Sequence, residues 1–184
     1  MKTTSGSNQR ARPPNRPNIR SSPNRAARLF LKGSREFSRK VRRILVPTDF
    51  SPPSIKALRY AAGFAEQAGA TIYLVHILEE PAFIHDIETF PLAIPERELV
   101  RVARKELLKL GKSQINGLVP VKTLVRVGKP FREVVALARQ TASDLIIIAT
   151  HGRTGLSRML LGSTAELVVR HAPCPVFVIR SHEK

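Results

Sequence analysis

From Val41 onward, short apolar runs alternate with segments of helical period, and this alternation constrains the fold more than any other feature of the chain. Val41 to Pro47, Thr71 to Leu78, Val121 to Val127, Leu145 to Ala149 and Pro175 to Ile179 are the apolar runs, rich in Val, Ile and Leu. Between the first two, Ile55, Leu58, Ala62, Ala65 and Ala68 recur at three- and four-residue spacing, one face of a helix. Ser51-Pro52 gives that helix an N-cap and a first-turn Pro, and Gly69 a C-cap. Leu99, Ala103, Leu107 and Leu110 predict a second helix ending before Gly117. Val134, Leu137 and Ala138 predict a third, begun by Pro130, and residues 163–171 a fourth. Residues 79–95, with Pro81, Pro91 and Pro95, read as a loop. The run at 71–78 is apolar almost throughout, as expected of a strand buried on both faces, and the run at 145–149 is the plainest strand of the five. The fold class is therefore α/β: a doubly wound, five-stranded parallel sheet with helices on both faces.

Charge divides the chain in two. Its 184 residues carry a net charge of +17, and residues 1–40 hold 11 Lys and Arg against the single Glu36. Those residues have no apolar period beyond Leu29-Phe30-Leu31, and their prolines block helix and ladder alike. The expected organisation is a basic disordered extension, 1–40, before one domain, 41–184. The arm suits an anionic partner, nucleic acid or lipid headgroup; its composition equally matches an organelle transit peptide or a solvated tail. A start of translation near Val41 would also fit the pattern. No stretch approaches the roughly 20 apolar residues of a membrane-spanning helix. With one Cys, a disulfide framework within the chain and a multi-Cys metal site are excluded.

In a doubly wound sheet, ligands bind beyond the carboxyl ends of the strands where the strand order reverses. That directs attention to two loops. After the first strand stands Pro47-Thr48-Asp49-Phe50-Ser51. Asp49 can accept hydrogen bonds from ribose hydroxyls, or it can cap the following helix. After the fourth stands Thr150-His151-Gly152-Arg153-Thr154-Gly155, and then Gly162-Ser163-Thr164. Glycines let backbone N–H groups approach a phosphate, and a helix starting at 162–163 would offer free amides and partial positive charge. Arg153 and Arg158 add charge. Ser163-Thr164-Ala165-Glu166 also reads as a capping box. Neither a Walker A nor a Gly-x-Gly-x-x-Gly pattern is present, so spacing alone supports an anion site.

Taken in order, Ile44-Leu45-Val46-Pro47-Thr48-Asp49-Phe50-Ser51, Val127-Gly128-Lys129-Pro130, Ala149-Thr150-His151-Gly152-Arg153-Thr154-Gly155-Leu156, Leu161-Gly162-Ser163-Thr164-Ala165-Glu166 and His171-Ala172-Pro173-Cys174-Pro175-Val176 resemble the universal stress protein (UspA-type) family, nucleotide-binding branch. The resemblance covers 41–184. It implies strand order 3-2-1-4-5, a stress-response role, a cytoplasmic protein and ATP as ligand, with or without Mg2+. The branch's Gly-x-x-Gly-x9-Gly-Ser/Thr motif falls on Ala149, Gly152, Gly162 and Ser163, so Ala149 departs from the pattern at its first Gly. By the same resemblance Asp49 holds the ribose, Pro47, Thr48, Ile77 and Ile148 line the base pocket, and Gly152, Gly162, Ser163 and Thr164 surround the phosphates. Arg153 joins them on charge grounds. A methyl at 149 is harmless if the position needs only a small side chain, and costs about 1–3 kcal/mol if it needs positive φ. The resemblance further implies a homodimer through the last strand, Val176, Phe177, Val178 and Ile179.

The remaining candidates are weaker. His151 is a possible acid or base beside the proposed phosphates. His76 reads as a packed, hydrogen-bonded residue, and His85, His171 and His182 have no metal-ligand spacing. Cys174, between Pro173 and Pro175, reads as a small apolar residue. Arg42, Arg43 and the basic positions 97, 101, 104 and 105 read as solvated faces. Three functions stand side by side: a regulatory binding module for adenine nucleotide, a slow ATPase or nucleotidyl-transfer enzyme on the same fold, and an adaptor that uses the arm on nucleic acid or a membrane surface.

Overall fold

The computed structural model describes residues 41–79, 95–150 and 162–180. They form β1 (Arg43–Pro47), α1 (Pro52–Ala68), β2 (Thr71–Leu78), α2 (Glu96–Ile115), β3 (Val121–Val127), α3 (Pro130–Gln140), β4 (Leu145–Ala149), α4 (Ser163–His171) and β5 (Val176–Ile179). All strand pairs are parallel and the order is β3-β2-β1-β4-β5, as the resemblance implies. Among the described residues no helix is long and apolar enough to cross a membrane.

Strand alternation explains the two apolar layers. Ile44 and Val46 of β1, with Leu145 and Ile147 of β4, face α1 and α2. Leu45, Ile146 and Ile148 face the opposite side, with Val134 and Leu137 of α3 and Val168 of α4. Every residue of β4 is buried, and a large aliphatic side chain so buried contributes about 1.5–3 kcal/mol. The helix ends are mostly set by the expected residues. Ser51 caps α1 through its side chain on the Ser54 N–H, and Gly69 ends it at φ +64°. The spacing misplaces Leu99: α2 begins at Glu96, after Pro95, and its first turns run beyond the core, leaving Leu99 40% exposed. Asn116, in the left-handed conformation, stops α2 one residue before Gly117.

Arg42 is exposed as expected, and Arg43, its side chain 41% exposed, reaches solvent while also making a structural contact. Asp144, just before β4, accepts the backbone N–H groups of Arg42 and Arg43 on Oδ2, both at 2.9 Å, and its Oδ1 stands 3.5 Å from the Arg43 guanidinium. This ties the start of β1 to the start of β4. Burial pushes the Asp144 carboxyl up, but the Arg42 N–H, the Arg43 guanidinium and the Arg43 N–H outweigh it and hold its pKa below the ordinary value. A carboxylate whose pKa falls on folding stabilises the protein above its unfolded pKa, and the contribution is lost as pH falls through the folded value. Asp144→Asn should therefore cost about 1 kcal/mol at pH 7, a charge-assisted hydrogen bond discounted for partial exposure. Urea unfolding should show the gap closing as pH drops below about 4; a gap that does not change with pH would contradict this role.

Candidate functional site

A cavity of about 840 Å³ opens beyond the carboxyl ends of β1, β2 and β4, at the point where the strand order reverses. Nine of the residues singled out in the sequence line it: Pro47, Thr48, Asp49, Ile77, Ile148, Ala149, Gly162, Ser163 and Thr164. Gly152 and Arg153, with His151 and Arg158, lie outside the described residues.

The loop after β1 is held by its own short polar side chains. Thr48 donates its N–H to Val75 O at 2.8 Å, and its Oγ1 lies 2.9 Å from Ser54 Oγ and accepts the Phe50 N–H at 3.1 Å. Its carbonyl accepts from His76 Nδ1 at 2.8 Å, which fixes Nδ1 as the protonated nitrogen. His76 is thus the packed, hydrogen-bonded residue expected, with its ring 4.5 Å from that of Phe50. Phe50 adopts φ +65°, costly for a bulky residue and sustained by these surrounding bonds. Asp49 does not cap α1 directly. Its Oδ1 accepts the Ser51 N–H at 3.0 Å and the Ser51 hydroxyl, so it orients the residue that caps the helix while also lining the cavity.

Thr150 and Gly162 form the second wall. Thr150 donates its N–H to Ile179 O at 3.0 Å, and its carbonyl accepts the Gly162 N–H at 2.8 Å. That bond sets the start of α4 against the end of β4. Gly162 is the N-cap of α4, at φ −57° and ψ 145°, and as a glycine it has no side chain to cap the helix. Ser163 is its first helical residue, so the capping box read from 163–166 does not form; Glu166 pairs with Arg170 at 2.9 Å instead. The first amides of an α-helix have no partner within it, and they carry the positive end of the helix dipole. Here those amides begin at two cavity-lining residues, Ser163 and Thr164.

The Ala149 departure has a local answer. Among the described residues, Phe50, Asn116 and Ala142 are the non-glycine residues with positive φ, and Ala149 is not one of them. It ends β4 in register with Ile179, so a methyl is accommodated without backbone strain.

Several lining residues escaped sequence reasoning. Phe131 and Val134 lie on the apolar side of α3, where helical period predicts core and nothing more. Thr150, Glu79 and Lys129 also line the cavity. Lys129 had a readable signal, a Gly turn followed by a helix-starting Pro at the carboxyl end of β3. Gly128, at φ +141°, donates its N–H to Leu78 O at 2.9 Å and carries Lys129 to the rim. The site thus combines an apolar floor, carboxylates at Asp49 and Glu79, a cation at Lys129 and a helix N-terminus, an arrangement that suits a ligand with an apolar ring, hydroxyls and an anionic group. Cys174 is half-buried away from it; burial, then the charge of Asp144, pushes its thiol up, away from the thiolate form that reacts.

The profile of the universal stress protein family matches residues 40–180. Universal stress protein MJ0531 of Methanocaldococcus jannaschii is 32% identical over 143 residues, covering 78% of this chain and 84% of that protein. The solved structure of hypothetical protein MJ0577, from the same organism, superimposes with a TM-score of 0.66 at 30% identity, covering 78% of this chain and 99% of that one. Universal stress protein UspA from Lactobacillus plantarum gives 0.62 at 25% identity, covering 76% and 98%. With strand order, loop motifs and profile in agreement, the chain belongs to the universal stress protein family.

Proposed function

We propose that this protein is an adenine-nucleotide-binding module of the stress response, with ATP as its ligand, acting in the cytoplasm through occupancy and protein partners. The observation that carries this reading is the Gly162–Thr150 hydrogen bond, which sets the first amides of α4 in the same cavity as Asp49. In this reading Pro47, Thr48, Ile77 and Ile148 receive the adenine, and Asp49 the ribose. Gly162, Ser163 and Thr164 take the phosphates, with Gly152 and Arg153 joining them on sequence grounds and Lys129 adding a charge. The cavity volume is within the range of small-molecule sites, about 300–1,000 Å³. Mg2+ would arrive on the phosphates, since among the described residues no group of three His, Cys, Asp or Glu could hold a metal. Protein purified without added nucleotide and then denatured should release an adenine nucleotide, identified by chromatography and mass; release of an unrelated ligand in stoichiometric amount would overturn the assignment.

The homodimer belongs to the same reading. β5 pairs with β4 alone among the described strands and leaves an edge, and Phe177, 38% exposed, stacks edge-on against Phe64 at 5.4 Å. Pairing of two such edges would cover them. Sedimentation at micromolar concentration should give a dimer that Val178→Pro dissociates; a wild-type monomer would contradict it.

A further inference from the structure

We propose that β3 and the outer side of α3 form a surface that binds the phosphate backbone of nucleic acid, independent of base sequence. This goes beyond the nucleotide site and does not rest on it. β3 is an edge strand, and residues two apart on a strand share a face. Leu124 packs against the α3–α4 side of the sheet, so Lys122 and Arg126 belong to that side too. Their neighbours agree: Lys122 Nζ sits 5.4 Å from the centre of the Tyr73 ring, and Arg126 Nη2 donates to Gln140 Oε1, on the last residue of α3, at 2.8 Å. Lys122 and Arg126 are four residues apart, about 13 Å along an extended strand. On α3, Arg132 and Arg139 are exposed and two turns apart, which puts them on one stripe. Lys129 follows at the rim of the nucleotide cavity.

Among the described residues these five cations make no ion pair; the pairs there are Arg43–Asp144, Arg101–Glu98 and Arg170–Glu166. Arg126 is held by a neutral amide. The carboxylate on α3 is Glu133, turned toward Gly128, and Asp144 at the amino edge already serves Arg43. A membrane fits this face less well. Insertion at a bilayer surface uses large apolar side chains beside the cations. The exposed ones among the described residues lie on α1, α2, the α2–β3 connection, α4 and β5, and none on β3 or α3. The basic segment 1–40 adds 11 Lys and Arg and joins the domain at Val41, at the amino edge of the sheet, the edge toward which α3 runs.

Fluorescence polarisation with a labelled duplex of about 20 base pairs, between about 50 and 200 mM salt, tests the proposal on the full chain. Lys122→Glu/Arg126→Glu should weaken binding at least about tenfold and flatten the salt slope by about 2, one unit for each phosphate no longer neutralised. Lys105→Glu/Lys109→Glu on α2 makes the same change in net charge and should weaken binding less than about threefold. Lys122→Gln/Arg126→Gln supplies the same comparison with Lys105→Gln/Lys109→Gln if the reversal impairs folding. Equal losses for the two pairs would mean that net charge and the arm act alone, and would overturn the surface. So would a wild-type protein that fails to bind the duplex, or one that binds only vesicles of phosphatidylserine.

Discussion

Gly162→Asp is expected to lower ATP affinity about 100-fold or more while leaving the fold intact, since it places a carboxylate where the phosphates would lie. The two halves of the expectation have separate causes. The backbone at Gly162 is φ −57° and ψ 145°, a conformation open to any residue, and the glycine itself has no side chain to cap α4. Asp is among the preferred N-caps, so the variant should be at least as stable as the parent. The same carboxylate would accept the helix amides that the nucleotide needs, and would repel the phosphates. A variant that melts normally and still binds ATP as tightly as the parent would remove the phosphate site from α4.

Ile146→Ala should have the largest effect on stability, a loss of about 3–4 kcal/mol. Ile146 is fully buried on the central strand pair, in register with Leu45 on one side and Val176 on the other. Its side chain belongs to the apolar cluster that also holds Val134, Leu137 and Val168, on the α3 and α4 side of the sheet. Against a total of about 5–15 kcal/mol, such a loss leaves a marginal domain. If the nucleotide reading is right, ATP at 100 times its dissociation constant should return about 2.7 kcal/mol of it, because only the folded state binds. Urea unfolding of the variant with and without ATP measures both numbers. A loss under about 1 kcal/mol would mean that the α3 layer is loosely packed.

The order of the elements was legible because strand and helix periods differ, and β4 was the plainest case: five apolar residues that the fold buries on both faces. The position of the cavity followed from topology, and its lining at Pro47, Asp49 and Ile148 from the motifs beside it. What failed to show in the sequence depends on residues far apart in the chain meeting in the fold. Leu99 continues the helical period of α2, yet stays exposed because nothing in the period tells where the sheet beneath ends. Arg43 looks like any charged strand residue until Asp144, 101 positions away, comes to meet it. Ser163 looks like an N-cap because Glu follows at the right spacing, but the Thr150 carbonyl claims the Gly162 N–H and the helix begins one residue earlier in its capping register. Ala149 departs from the family's motif, and only its backbone conformation tells that a methyl there carries no strain. Phe131 has the look of a core residue and is also a wall of the site.

Calorimetric titration of the nucleotide-stripped chain with ATP tests the central claim most directly. One ATP per chain, with a dissociation constant near or below about 10 μM, is the predicted result, equivalent to about −7 kcal/mol or better. No saturable binding up to about 1 mM, where the binding energy is only about −4 kcal/mol, would contradict it.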